Sequence, residues 1–112
     1  MKKQNIYAQG DILLIKVESI PQKKKKYDRQ NGKIILAWGE KTGHHHRIED
    51  DTTQAWVDDN DAVWLEVKDL IEEARVIHEE HGEIRLPEGY YRVIREQRQF
   101  QSERGEQKKV ED

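Results

Sequence analysis

An all-β domain is what this 112-residue sequence predicts, on three observations. Its apolar residues fall in brief runs rich in β-branched and aromatic side chains. Each run closes on turn residues such as Asn31-Gly32 or Pro87-Glu88-Gly89. The apolar fraction of 34% with two prolines suits one domain around one modest core and is too little for two. The expected architecture is a single small β-barrel or β-sandwich of about six to eight strands over residues 1–100, followed by a disordered, charged tail over residues 101–112, where Val110 is the one apolar side chain.

Taken in order, residues 12–18 form the first expected strand, with Leu13, Ile15 and Val17 on one face offered to the core. Pro21, the run Lys23 to Lys26 and Asn31-Gly32 then describe an exposed loop. Residues 33–38 are a second strand. Residues 43–48, extended, place His44 and His46 on one side and His45 on the other. Residues 54–57, around Trp56, pair with 62–68 across the acidic turn Asp58-Asp59-Asn60-Asp61, with Val63, Leu65 and Val67 facing the core. After the Pro87-Gly89 turn, residues 90–94 carry Tyr91 and Val93 on one side. Trp38, Trp56 and Trp64 read as packing in the core or on a sheet face rather than as base-stacking platforms.

Residues 69–81 support two readings. Asp69 with Glu72 fits a capping box, Leu70, Ala74, Ile77 and His81 recur at helical spacing, and Gly82 fits a helix end. Ala74-Arg75-Val76-Ile77-His78 reads equally as a strand.

Composition narrows the chemistry. With no cysteine, disulfides and thiolate chemistry are excluded. No basic-then-apolar leader and no long apolar run is present, so a soluble cytoplasmic protein without membrane association is expected. The net charge of -3 conceals a division: residues 1–47 carry 11 Lys and Arg against 4 Asp and Glu, and residues 48–112 carry 9 against 19. The two halves attract each other, which assists strand pairing.

All five histidines lie in two short clusters, His44-His45-His46 and His78-Glu79-Glu80-His81. The first reading is a divalent metal site on His44, His46, His78 and His81, with Glu79 or Glu80 as an oxygen ligand or, with His81, as acid/base candidate in an enzyme. Zn, Fe, Mn and Ni all suit such donors. A second reading needs no metal: paired imidazoles act as general acid and base, Arg47 stabilises developing charge, and Lys23, Lys24, Lys25 and Lys26 hold the phosphate of a nucleotide or RNA. A third assigns the histidines to polar turns. The exposed strand edges of so small a domain also predict a homodimer.

The series Gly-Asp-Ile-Leu-Leu (10–14), Gly-Glu-x-Thr-Gly-His-x-His-x-Ile (39–48), Trp-Leu-Glu-Val (64–67), His-Glu-Glu-His (78–81) and Leu-Pro-x-Gly-x-Tyr-x-Val (86–93) resembles a group of small bacterial and phage proteins of uncharacterised function. That resemblance spans roughly residues 8–100 and implies an all-β domain, with residues 74–81 as strand. A looser likeness is to cupins, whose paired histidines His44 and His46 would match, with Pro87 and Gly89 as the following turn. It departs from them in its glutamate spacing and in having the second histidine cluster before that turn. Gly10 to Val17 resembles the opening strand of co-chaperonin-like barrels.

Overall fold

The computed structural model describes residues 5–39, 43–68 and 73–95. These hold ten strands and no helix: β1 (Ile6–Gln9), β2 (Ile12–Val17), β3 (Lys24–Lys26), β4 (Ile34–Trp38), β5 (His45–Ile48), β6 (Gln54–Asp58), β7 (Val63–Val67), β8 (Ala74–Ile77), β9 (Ile84–Leu86) and β10 (Gly89–Arg95). Every pairing is antiparallel. One sheet runs β1-β2-β10-β7-β6-β3 and the other β4-β5-β8-β9. Their apolar faces meet, so the domain is a sandwich and not a closed barrel.

Alternation explains most of the core. Val63, Leu65 and Val67 on β7 and Tyr91 and Val93 on β10 are buried as their period of two requires. The Tyr91 hydroxyl donates to the Pro87 carbonyl at 2.6 Å, which satisfies its polar end inside an apolar layer. From the other sheet Ile34, Leu36, Ile48, Val76 and Leu86 complete the core.

Several expectations are corrected. β2 buries Ile12 and Leu14, leaving Leu13, Ile15 and Val17 on the outer face. The run Ile12-Leu13-Leu14-Ile15 is apolar on both faces, so its period cannot choose between them. The loop expected over residues 19–32 contains β3, an edge strand of three lysines paired with β6. Lys24 and Lys26 hold their ammonium groups 4.9 and 5.7 Å from the Trp56 ring, and that cation–π contact replaces the apolar side chains a strand usually needs. β1 and β9 were not foreseen, which takes the described strands past the six to eight expected. Residues 74–77 are strand; the preceding residues 69–72 and the expected tail over 101–112 lie outside the described residues. The tryptophans pack on outer faces: Trp64 lies under Arg92, and Trp38 is 58% exposed.

The β4 edge and the β6–β7 turn each depart from a plain ladder. β4 shifts register between Ile35 and Ala37, a bulge at Leu36. At this sheet edge the Ile35 carbonyl accepts from the Tyr27 hydroxyl at 2.8 Å, and the Leu36 carbonyl accepts from Arg95 Nε at 2.7 Å. In the β6–β7 turn, the Asp58 carboxylate accepts from the Asn60 and Ala62 N–H groups and from Trp64 Nε1. Among the described residues, no helix is long and apolar enough to cross a membrane.

Candidate functional site

Three chain segments converge where the two sheets meet. The first is the β1–β2 hairpin, whose two-residue loop is Gly10-Asp11, with Gln9 paired to Ile12. Gly10 has φ +57°, which suits glycine at the first loop position of such a hairpin. A Cβ there would lie 2.7 Å from His81 Nε2 and 3.1 Å from His46 Cε1. Glycine is therefore required twice, by conformation and by the two imidazoles pressed against it.

The second segment is β5 with the residue before it. Its burial alternates, sending His46 and Ile48 inward and His45 and Arg47 outward. The third is the turn after β8. β5 and β8 pair Arg47 with Ile77 and Ile48 with Val76, and the same register carried on sets His46 opposite His78 and His44 opposite Glu80. The backbone ladder stops there, and the Glu79 carboxylate continues it by accepting the His45 N–H at 3.0 Å.

The result is a cavity of about 240 Å³ lined by Asp11, Gly39, His44, His46, His78, Glu80 and His81. Ring centres lie 4.3 Å apart for His46 and His78, 4.6 Å for His78 and His81, 5.8 Å for His46 and His81, and 6.1 Å for His44 and His78. Two imidazoles on one tetrahedral ion hold their centres about 5 Å apart. The spacing is thus close to that of a ligand cluster, yet among the described residues no group of three or more His, Cys, Asp or Glu is found that could hold an ion as the side chains stand.

Hydrogen bonds settle two tautomers. The Gln9 amide nitrogen donates to the carbonyls of Val76 and Gly82, each at 2.9 Å. Both its hydrogens are thereby used, which fixes its oxygen as the atom 2.8 Å from His46 Nδ1. His46 must donate from Nδ1 and carry its lone pair on Nε2. That lone pair faces the Asp11 carboxylate oxygen at 3.4 Å. Burial, with His78 next in weight, holds the His46 pKa down from 6.5 to about 4, although Asp11 pulls it upward. At neutral pH two acceptors therefore confront each other.

His78 has the opposite tautomer. Its Nδ1 accepts the Glu80 N–H at 3.0 Å, so the neutral ring presents Nε2–H. Burial and then His81 lower its pKa. That Nε2 stands 3.1 Å from where a Cβ on Gly39 would lie, so the absence of a side chain at Gly39 leaves it room. His44 Nδ1 lies 3.1 Å from a Glu80 carboxylate oxygen but makes no hydrogen bond of good geometry.

Other expected site residues lie elsewhere. Glu79 bridges to Arg47 at 3.0 Å as well as to the His45 N–H; burial would raise its pKa, but hydrogen bonds from the Glu79 and His45 N–H groups and the Arg47 charge bring it to about 2. His45 stacks edge-on against Trp38 with ring centres 4.8 Å apart, outside the cavity. Arg47 is held on that outer face by Glu49 and Glu79. Lys23 to Lys26 lie at or beside β3, at the far edge of the larger sheet from β1, about 24 Å across six strands at ordinary spacing. The lysines and the histidine cavity thus do not share a site.

Sequence reasoning missed Gln9, Gly10, Asp11 and Gly39. Only Gly10-Asp11 carried a local signal, as a two-residue turn preceding an apolar run.

Residues 8–96 match the model of a family described as a domain of unknown function, DUF8820, and the chain belongs to that family. No curated protein and no solved structure matches the chain.

Proposed function

We propose that the cavity is a divalent metal site and that the protein is a small metal-binding protein of the cytoplasm. The observation that carries this reading is the His46–Asp11 pair. A nitrogen lone pair fixed by Gln9 and a carboxylate oxygen 3.4 Å from it are two donor atoms spaced as neighbouring ligands of one tetrahedral ion would be. Burial opposes a proton between them; an ion with its own ligands does not suffer the same penalty.

The ligand set we infer is His46 Nε2, His81 and the Asp11 carboxylate, with His44 also lining the cavity. Asp11 and His81 are exposed and can rotate to close it. Two imidazoles and one carboxylate suit Fe, Mn, Zn or Ni. Gln9 acts behind His46 as the hydrogen-bond partner that fixes the ring of a metal-bound histidine. His78 stands outside the set, because its Nδ1 is engaged by the Glu80 N–H and it offers a hydrogen rather than a lone pair.

The test is metal analysis of untagged protein with thermal melts before and after chelation. A metal at one hundred times its Kd stabilises the native state by about 2.7 kcal/mol, roughly 10 °C or more for a domain of this size. One ion should restore the chelated melt, and His46→Ala should abolish the response. Melts indifferent to every divalent ion would end this reading.

A further inference from the structure

We infer that the outer face of β1, β2 and β10 docks a second copy of this chain, giving a weak two-fold dimer by sheet-on-sheet packing. The face lies outside the histidine cavity, and the dimer forms with or without an ion there. The β1–β2 hairpin serves both, since its tip presents Gly10 and Asp11 at the cavity.

Register defines the face. Residues directly opposite each other in an antiparallel pair point to the same side, and on the outer side Ile6 pairs with Ile15, Ala8 and Ile94 with Leu13, and Tyr90 with Val17. Ile6 and Ala8 are exposed, and the other five are half-buried. β2 thus carries apolar side chains on both faces, the pattern of a strand that is covered on both. The smaller sheet supplies the contrast: its outward side chains on β5, β8 and β9 are His45, Arg47, Arg75, Ile77 and Arg85, of which Ile77 alone is aliphatic.

Charge leaves the patch intact. Arg92, opposite Ile15 on one side and Trp64 on the other, is the charged side chain within it, and its guanidinium lies 5.3 Å from the Trp64 ring. That contact draws it toward β7 and away from β1. Beyond β10 the face becomes polar: Glu66 stands opposite Tyr90, and Asp58, Lys24 and Lys26 follow on β6 and β3. A partner chosen by charge would need one sign there. An apolar patch bordered by both signs fits a copy of itself, because a two-fold axis brings identical patches together.

The rest of this sequence offers little to cover the patch. Residues 1–4, 40–42, 69–72 and 96–112 hold Met1, Leu70, Ile71, Phe100 and Val110 as their apolar side chains, fewer than the patch itself and divided among three segments. Size sets the strength of the dimer. Five residues along a strand and six strands across make the whole face roughly 17 by 24 Å, below the ~800 Å² per partner of a standard interface. The dimer is therefore weak, with a Kd of about 10–100 µM.

Sedimentation velocity of the full chain from about 2 to 500 µM, spanning that Kd, tests this. The sedimentation coefficient should rise with concentration toward that of a dimer. Ile6→Lys and Leu13→Lys should each weaken association at least about ten-fold, since a two-fold interface meets each unpaired charge twice. Trp38→Ser, which removes the exposed tryptophan of the smaller sheet, should leave Kd within about two-fold. Ile6 is 55% exposed, so its substitution probes the face without disturbing the core, and circular dichroism checks that all three variants fold. A chain monomeric at every concentration overturns the proposal. So does a dimer that survives both lysine substitutions, which would place the contact at a strand edge or on another face, and so does one that Trp38→Ser abolishes as readily as Ile6→Lys.

Discussion

The two hairpin turns of the larger sheet form a controlled contrast. At the β6–β7 turn the Asp58 carboxylate accepts three N–H groups, and those bonds, led by that from Ala62, lower its pKa. At the β1–β2 turn the Asp11 carboxylate faces the lone pair of His46. Both turns place an aspartate at the end of a strand pair. One surrounds it with donors two to six residues away; the other brings it to 3.4 Å from a buried ring nitrogen 35 residues away, the contact on which the proposed metal site rests. Local complementary groups suffice to explain the first turn, whereas the second draws its partner from a distant strand.

The largest expected effect separates the two turns by pH. In metal-free protein the folded His46 pKa is about 4 against 6.5 for the free side chain. Between those values the unfolded chain binds a proton that the folded one does not. Stability is thus full above pH 6.5, declines as pH falls and reaches its full loss below pH 4, about 3 kcal/mol in all. Asp58 works in a lower window: its lowered pKa adds stability above the free value of 3.8 that is lost only in stronger acid. Urea unfolding of chelated protein at pH 7 and pH 4.5 measures the difference, and a flat profile would break the His46 account.

Next in size is Gln9→Leu. It leaves the Val76 and Gly82 carbonyls without their donor, at a cost of about 2 kcal/mol, and releases the His46 tautomer. Metal affinity should fall by about 10- to 100-fold, read by competition with a chelating dye. Destabilisation with unchanged affinity would mean that Gln9 is only structural.

Asp11→Asn sharpens the comparison because its sign is reversed. The amide can donate to His46 Nε2, which turns a repulsive contact into a hydrogen bond, so the metal-free protein should become more stable by about 1 kcal/mol while its metal response shrinks. Thermal melts with and without chelator show both. A less stable apoprotein would argue against the confrontation of lone pairs. Smallest of all, Asp58→Ala should lower the melting temperature by a few degrees and leave the metal response untouched.

The contrast also shows how far the sequence could be read. The acidic β6–β7 turn was legible because its donors lie two to six residues from Asp58. The inward faces of β7 and β10 were legible by their alternation, and the inward direction of His46 by the same rule. The partners that give His46 its chemistry were not: Gln9 is 37 residues away, and the carbonyls that orient Gln9 are 67 and 73 residues away. β3 escaped notice because its strand is made of lysines whose support, Trp56, lies on another strand. β1 escaped because its four residues are followed at once by the turn that begins the more apolar β2.

The bulge in β4 has a consequence for crowding. A bare sheet edge invites a passing chain to add a strand, the first step of aggregation. At β4 the carbonyls of Ile35 and Leu36 are already taken by Tyr27 and Arg95, and the bulge between Ile35 and Ala37 breaks the regular spacing that a new strand would have to match. The exposed Trp38 at the end of that strand therefore stands on an edge poorly suited to templating fibrils.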